Sequence, residues 1–291
     1  MNAYVQPSVI QHCILLADFA VDVLIAEVNL TPKPALVDQR GSGAHDDLTL
    51  ELMQHSALSL HSMFVEMAHA AYRYKVGSQA LREAIGDIGR KGEATMLLTT
   101  NGINTHRGAI WSLGLMVTAT VLASLRSEEV TAIELCRLAG QLAQIEDRFI
   151  PQSILSHGQQ VKKALGVSGA KEQAQQCFPA ITQYALPQLY VSRETQGNET
   201  SAQIDALLAM MTVVDDTCVL YRAGQEGLVQ MQQGAQEVLN LGGYSTVAGK
   251  QAFEQLEQAL LPLRASPGGV ADLLATTLFI DRVEKFYLKN K

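Results

Sequence analysis

The sequence predicts an all-α protein, a single compact domain of about ten helices over residues 1–291. Three observations support this. Ala, Leu and Gln are abundant, with Met and Glu as further helix formers; there are only eight prolines in 291 residues; and β-branched residues rarely alternate with polar ones. A first helix is expected from about Ser8 to Glu27, stopped by Thr31-Pro32-Lys33-Pro34, whose prolines hold the backbone extended. A long second helix runs from Asp46 to Tyr74, with the two acids Asp46 and Asp47 at its start, and a third from Ser78 to Leu98. The Asn101-Gly102 turn separates these from a fourth, Thr105 to Leu125. Its stretch Gly108–Leu125 is uncharged between Arg107 and Arg126. It is marginal in length for a membrane and carries Gly, Ser and Thr, so it reads as a buried central helix. Later helices are expected over 127–144, 171–184, 201–221, 225–239, 247–261 and 269–288. The signal over 150–169 is mixed, and the polar stretch 191–199 reads as an exposed loop.

Hydrophobic residues make up 47% of the chain and charged residues 18%, which is a globular composition. The net charge of −7 disfavours a nucleic-acid binder, which needs a broad basic surface; a small polyanion can still be held by a few local cations. Cys13, Cys136, Cys177 and Cys218 are far apart and form no CxxC pair, so reduced thiols are the default. With no basic leader and no convincing span, a cytoplasmic, soluble protein without membrane contact is expected. A homo-oligomer is left open. His12, His55, His61, His69 and His157 lack ligand spacing and read as structural or surface residues. There is no Walker loop, no dinucleotide fingerprint and no nucleophile elbow.

Four polar constellations remain. In the first, Lys33 sits on a stiff segment between prolines and suits a phosphate contact, although a solvated connector lysine would look the same. Next along, Gly41-Ser42-Gly43-Ala44-His45-Asp46-Asp47 offers either a helix cap or a His-Asp-Asp cluster able to hold a magnesium–phosphate complex. The second is Asn104-Thr105-His106-Arg107-Gly108. Cations in a first helical turn oppose the dipole by about 0.3–1 kcal/mol unless an anion sits nearby. Asn104 or Thr105 can cap, and His106 and Arg107 can cradle an oligophosphate, unless Arg107 turns back to a carboxylate elsewhere.

The third is Asp215-Asp216-Thr217-Cys218 with Arg222. Leu207, Met211, Val214 and Cys218 form an apolar stripe, and Asp215, Cys218 and Arg222 follow i, i+3, i+7 on nearly one face. Asp215 is then either an ion-pair partner of Arg222, or a metal ligand or general base; Cys218 reads as packed rather than nucleophilic. The fourth, Ser266-Pro267-Gly268-Gly269 before Asp272, allows close approach of a ligand or simply makes a turn. Glu27 is weak alone.

Together these segments resemble the triphosphoribosyl-dephospho-CoA synthases, which supply prosthetic-group precursors for citrate lyase and malonate decarboxylase. The matching motifs are Pro32-Lys33-Pro34-Ala35-Leu36-Val37-Asp38, Gly43-Ala44-His45-Asp46-Asp47, Asn104-Thr105-His106-Arg107-Gly108, Asp215-Asp216-Thr217-Cys218, Ser266-Pro267-Gly268-Gly269 and Ala271-Asp272-Leu273-Leu274-Ala275. They occur in the family's order and span nearly the whole chain. Asp215-Asp216-Thr217-Cys218 and Ala109-Ile110-Trp111-Ser112-Leu113-Gly114 look closer to the malonate decarboxylase branch.

The resemblance implies that ATP and 3'-dephospho-CoA are the substrates, that the 5-triphosphoribosyl group moves to the 2'-hydroxyl, and that adenine is released. On that reading Lys33, Asn104, His106, Arg107 and Arg222 bind substrate phosphates. Asp46, Asp47 and Asp216 hold Mg2+, Asp215 takes the hydroxyl proton, and His45 protonates adenine. A helical ATP-dependent kinase or hydrolase, and a non-catalytic adaptor for an acyl-carrier protein, are the alternatives from other classes.

Overall fold

The computed structural model describes residues 8–126, 129–150, 166–167, 169–196 and 198–289, and among them no strand occurs. The helices are α1 (Val9–Asn29), α2 (Leu50–Ser59), α3 (His61–Tyr74), α4 (Gln79–Thr99), α5 (Arg107–Leu125) and α6 (Ala132–Gln144). After these come α7 (Ala170–Gln175), a π-helical turn (Ile181–Ala185), α8 (Leu186–Gln196), α9 (Glu199–Met211), α10 (Thr217–Asn240), α11 (Val247–Leu260) and α12 (Gly268–Lys289).

The uncharged α5 lies at the centre of the packing, buried along most of its length against α3, α4, α6 and α12. α12 lies along it and also meets α1, α9 and α10. One continuous apolar cluster joins these helices, from Leu16 and Leu24 on α1 to Phe279 and Ile280 on α12. Two helices, α1 and α5, are long and apolar enough to pass for membrane spans by composition; α5 is mostly buried inside the protein.

Four boundaries differ from expectation. The predicted helix over 46–74 begins only at Leu50, capped by Thr49, and breaks at Leu60 into α2 and α3. The predicted 201–221 helix stops at Met211. Val213 and Val214, β-branched and poor at propagating a helix, lead into Asp216, which caps a new one. Residues 191–196 of the expected 191–199 loop lie in α8 instead: Leu189 and Ser192 are buried, so tertiary packing overrides the polar composition. The predicted 171–184 helix shortens to α7, and the chain turns through Cys177 (φ 61) and Phe178 (φ 55) before the π-helical turn. The expected break near residue 224 is present as a kink inside α10, at Gly224 (φ 63, ψ −159). Most of 150–169, and His157, lie outside the described residues.

Candidate active site

The site begins with the register of α5 against α12. Ser112 Oγ and Thr276 Oγ1 lie 2.8 Å apart in the core, and each also bonds back into its own helix, Ser112 to Gly108 O and Thr276 to Asp272 O. That buried link sets Gly108 beside Asp272 one turn nearer the helix starts. The fit is so close that a Cβ on residue 108 would overlap the Asp272 carboxylate, which takes a backbone hydrogen bond from Ala109.

Asp216 then draws the start of α10 to the same place. Its Oδ1 accepts from Cys218 N (2.8 Å) and Val219 N (3.1 Å), and its Oδ2 from Val270 N of α12 (2.9 Å). Burial pushes the Asp216 carboxyl up, while these backbone N–H groups pull it back. Three long helices therefore start at one point, their positive dipole ends together. Much of the N–H capacity an anionic ligand would use is met by Asp216 and Asp272.

This point is partly open to solvent: Cys218 is exposed and Asp272 half-buried. Yet desolvation pushes the Cys218 thiol up, with Asp216 and Asp272 adding to it, so the group touches water on one side and dense protein on the other. A thiol so raised is no nucleophile near neutrality. Asp272 is held well above the ordinary carboxylate range by burial first, then by Glu27 and Asp216.

His45 stands beside it, bonded to the segment before α12 and to α10. Arg222 Nη1 donates to its Nδ1 at 3.0 Å and its Nε2 lies 2.8 Å from Ser266 Oγ. A guanidinium cannot accept, so Nδ1 carries no proton and Nε2–H donates to Ser266. Burial, then Arg222, lowers the His45 pKa to about 4, so the ring is neutral at pH 7 and holds no extra proton for adenine. Arg222 is exposed, and this partner is uncharged, so the pairing does not neutralise its guanidinium. The loop that carries His45 depends on Gly43 (φ 58), where a side chain would run into the Ala35 and Leu36 carbonyls.

The other predicted cations are placed differently from expectation. Lys33 is 2% exposed; its Nζ donates to Glu27 Oε1 (2.5 Å) and to the Glu27 carbonyl (2.6 Å) at the C-terminal end of α1. Its backbone N bonds Asp38, which Arg40 links to Glu257 on α11. Lys33 is thus a buried ion-pair partner and not a solvated lysine. His106 is buried as well: Nδ1 bonds Ser56 Oγ (2.9 Å) and Nε2 has no partner. Burial, then Lys33, lowers its pKa to about 4, which removes it as a phosphate-binding cation at neutral pH. Arg107 turns to Glu93 on α4, with its Nε buried and unpartnered. Asn104 is exposed and accepts from Arg107 N at 3.2 Å, as a cap.

The carboxylates separate. Asp46 is exposed and paired with Arg264 (2.6 Å); Asp47 is exposed, 3.6 Å from His45 Nδ1; neither opens a helix. Asp215 lies in the connector before α10 rather than on a helical face with Cys218 and Arg222, and Arg222 goes to His45. Asp46, Asp47 and Asp216 do not share a ligand sphere. Among the described residues no group of three or more His, Cys, Asp or Glu side chains is placed to hold a metal. No step is therefore assigned to a metal held by the chain. Sequence reasoning gave Asp272 no role beyond its motif and set Glu27 aside; the Gly-Gly before Asp272 was its only signal.

His45 and His106, both lowered to about 4, make stability pH-dependent. A ring of pKa about 4 when folded and about 6.5 when unfolded favours the folded state while neutral. That contribution is complete above about pH 6.5 and is lost as pH falls toward about 4, about 3 kcal/mol for each ring. His106→Gln should flatten this acid loss when urea unfolding is compared at pH 7.5 and 4.5. An unchanged pH slope would mean that His106 does not titrate on unfolding.

With this geometry in place, comparison with known proteins is specific. Residues 13–291 match the family model described as ATP:dephospho-CoA triphosphoribosyl transferase (CitG). The chain is 59% identical over 269 residues to a protein of Pseudomonas syringae pv. syringae, covering 92% of this chain and 91% of that one. It is 52% identical over 280 residues to one of Pseudomonas fluorescens (96% and 95%), and 53% over 270 residues to one of Pseudomonas aeruginosa (92% and 90%). All three are named probable 2-(5''-triphosphoribosyl)-3'-dephosphocoenzyme-A synthase. No solved structure matches. The chain belongs to the ATP:dephospho-CoA triphosphoribosyl transferase family and is an enzyme of that class.

Proposed function

We propose that the region where α5, α10 and α12 start is where this transfer occurs, and that its product serves the acyl-carrier subunit of malonate decarboxylase. The observation that carries the placement is the convergence of three helix N-termini on a partly open floor holding Asp272. On this reading the ATP ribose lies over Asp272 and the triphosphate runs toward Arg222. Magnesium accompanies ATP as a counter-ion of its phosphates. The transition state has oxocarbenium character at C1'', as in other glycosyl transfers. The work proceeds in the cytoplasm, in one domain spanning residues 1–291.

The test is chromatography of purified protein with ATP, magnesium and 3'-dephospho-CoA. Adenine should appear in step with a heavier coenzyme A derivative. ADP or phosphate without adenine would overturn the glycosyl-transfer reading and favour the kinase or hydrolase. The branch is carried by Asp215-Asp216-Thr217-Cys218 and Ala109–Gly114. Because citrate lyase would use the same precursor, a deletion strain decides it. Loss of growth on malonate with growth on citrate retained supports the proposal, and the reverse refutes it.

A further inference from the structure

A cavity of about 400 Å³ opens between α1, α3 and α4, within the range of about 300–1,000 Å³ that small-molecule sites occupy. Its walls are mainly apolar: Ile10 and Cys13 from α1, Val65 and Ala70 from α3, Ala84 and Ile88 from α4. A shallower hollow of about 70 Å³ continues it between α3 and α4, sharing Glu66 and Ile88 and reaching Ser59 and Thr95.

The Thr95 end of this groove comes to the start of α5. Glu93 pairs with Arg107, and Met96 Sδ accepts from His106 N at 3.3 Å. Ser59 donates to the Ser56 carbonyl, and Ser56 Oγ lies against Thr105 and His106. One groove therefore leads from the first residues of α5 to the cavity beside Cys13.

We propose that the groove holds the pantetheine arm of the 3'-dephospho-CoA acceptor, its thiol end in the larger cavity and its diphosphate end toward the start of α5. This rests on the placing of the transfer proposed above.

Length is the first argument. The stretch of α4 from Ala84 to Thr95 is about 16 Å long. Extended like a peptide, at about 3.3–3.6 Å for every three bonds, the arm's dozen bonds from ester oxygen to sulfur span about 13–14 Å.

Charge is the second, and it sets the direction. The larger cavity carries two acids, Glu66 and Asp87, against one permanent cation, Arg73. Asp87 is held by Lys91 at 2.7 Å, and the Arg73 guanidinium lies over the Tyr74 ring. A phosphate would meet a net negative wall there, whereas an uncharged chain meets no repulsion. At the other end Lys91 lines the hollow and Arg107 stands near it, so the cations fall where the diphosphate would lie.

The chemistry of the walls agrees. The arm's geminal methyl groups and methylenes suit the apolar surface. Its two amides need hydrogen-bonding partners, and Ser62, His69 and Tyr74 are set along the groove.

The experiment fills the larger cavity. Ala84→Trp should lower kcat/KM for 3'-dephospho-CoA at least about tenfold and leave the KM for ATP, at saturating acceptor, within about twofold. The proposal is overturned if kcat/KM for 3'-dephospho-CoA stays within about twofold, or if the KM for ATP worsens by the same factor. A measurement on the wild-type enzyme stands even if the variant does not fold. 3'-Dephospho-CoA should slow amide hydrogen exchange in peptides covering 63–74 and 84–95, while ADP, the same nucleotide without the arm, should not. Equal slowing by both, or none by either, also overturns the proposal. Adenine release by the wild-type enzyme checks the transfer itself, and Gly108→Ala checks its place at the start of α5, so failure of the groove is distinct from failure of either.

Discussion

Lys33→Met is expected to lose about 3–5 kcal/mol of folding stability, read as the shift in urea-unfolding free energy at pH 7.5. The reason is local. Glu27 and Lys33 are 4% and 2% exposed, and the ammonium donates both to the Glu27 carboxylate and to a carbonyl at the end of α1. Removing it strands a carboxylate away from water and uncaps the helix end, where a cation is favoured. The double variant Lys33→Met with Glu27→Gln should recover most of the loss, because no buried charge then lacks a partner. A lysine that reached solvent to bind phosphate would behave differently: less than about 0.5 kcal/mol in stability and a raised KM for ATP. If the single variant shows that pattern, the ion pair is not what holds Lys33 in the protein.

Gly108→Ala is expected to lower kcat by at least about 10²-fold with the protein still folded. The added methyl group occupies the space of the Asp272 carboxylate, so either that group or the α5–α12 spacing must shift. Misplacement of a group in the proposed site by about 1 Å is enough to cost about 10²-fold, whereas overpacking of this kind costs about 1–3 kcal/mol in stability. Adding Asp272→Ala to Gly108→Ala should return the stability and not the turnover, which separates the crowding from the chemistry. Wild-type turnover in Gly108→Ala would show that the carboxylate position is immaterial and would remove Asp272 from the site.

Much of the fold was legible in the residues. The apolar run after Arg107, the Thr31–Pro34 stop, the Asn101-Gly102 turn with Asn101 at φ 53, and the break near Gly224 all report local physics. What misled was the continuity of helical composition. Over 201–221 nothing in the periodicity reveals that the helix ends at Met211, because an aspartate inside a helix and one capping a new helix read alike. In the same way, charged residues at element ends look like ligands for phosphate or metal until their partners are known. Arg107 has Glu93 fourteen residues earlier in the chain, and Asp46 has Arg264.

By itself, then, the sequence determined an all-helical protein, its central buried helix and the segments shared with its family, since propensity, periodicity and turn chemistry act over a few neighbouring residues. Tertiary structure decided which polar groups face one another: Lys33 with Glu27, His45 between Arg222 and Ser266, and Asp272 against Gly108. The physical reason is that a side chain's charge state and role depend on burial and on partners within a few ångströms. Among these pairs His45 and Ser266 stand 221 positions apart, where no local pattern connects them.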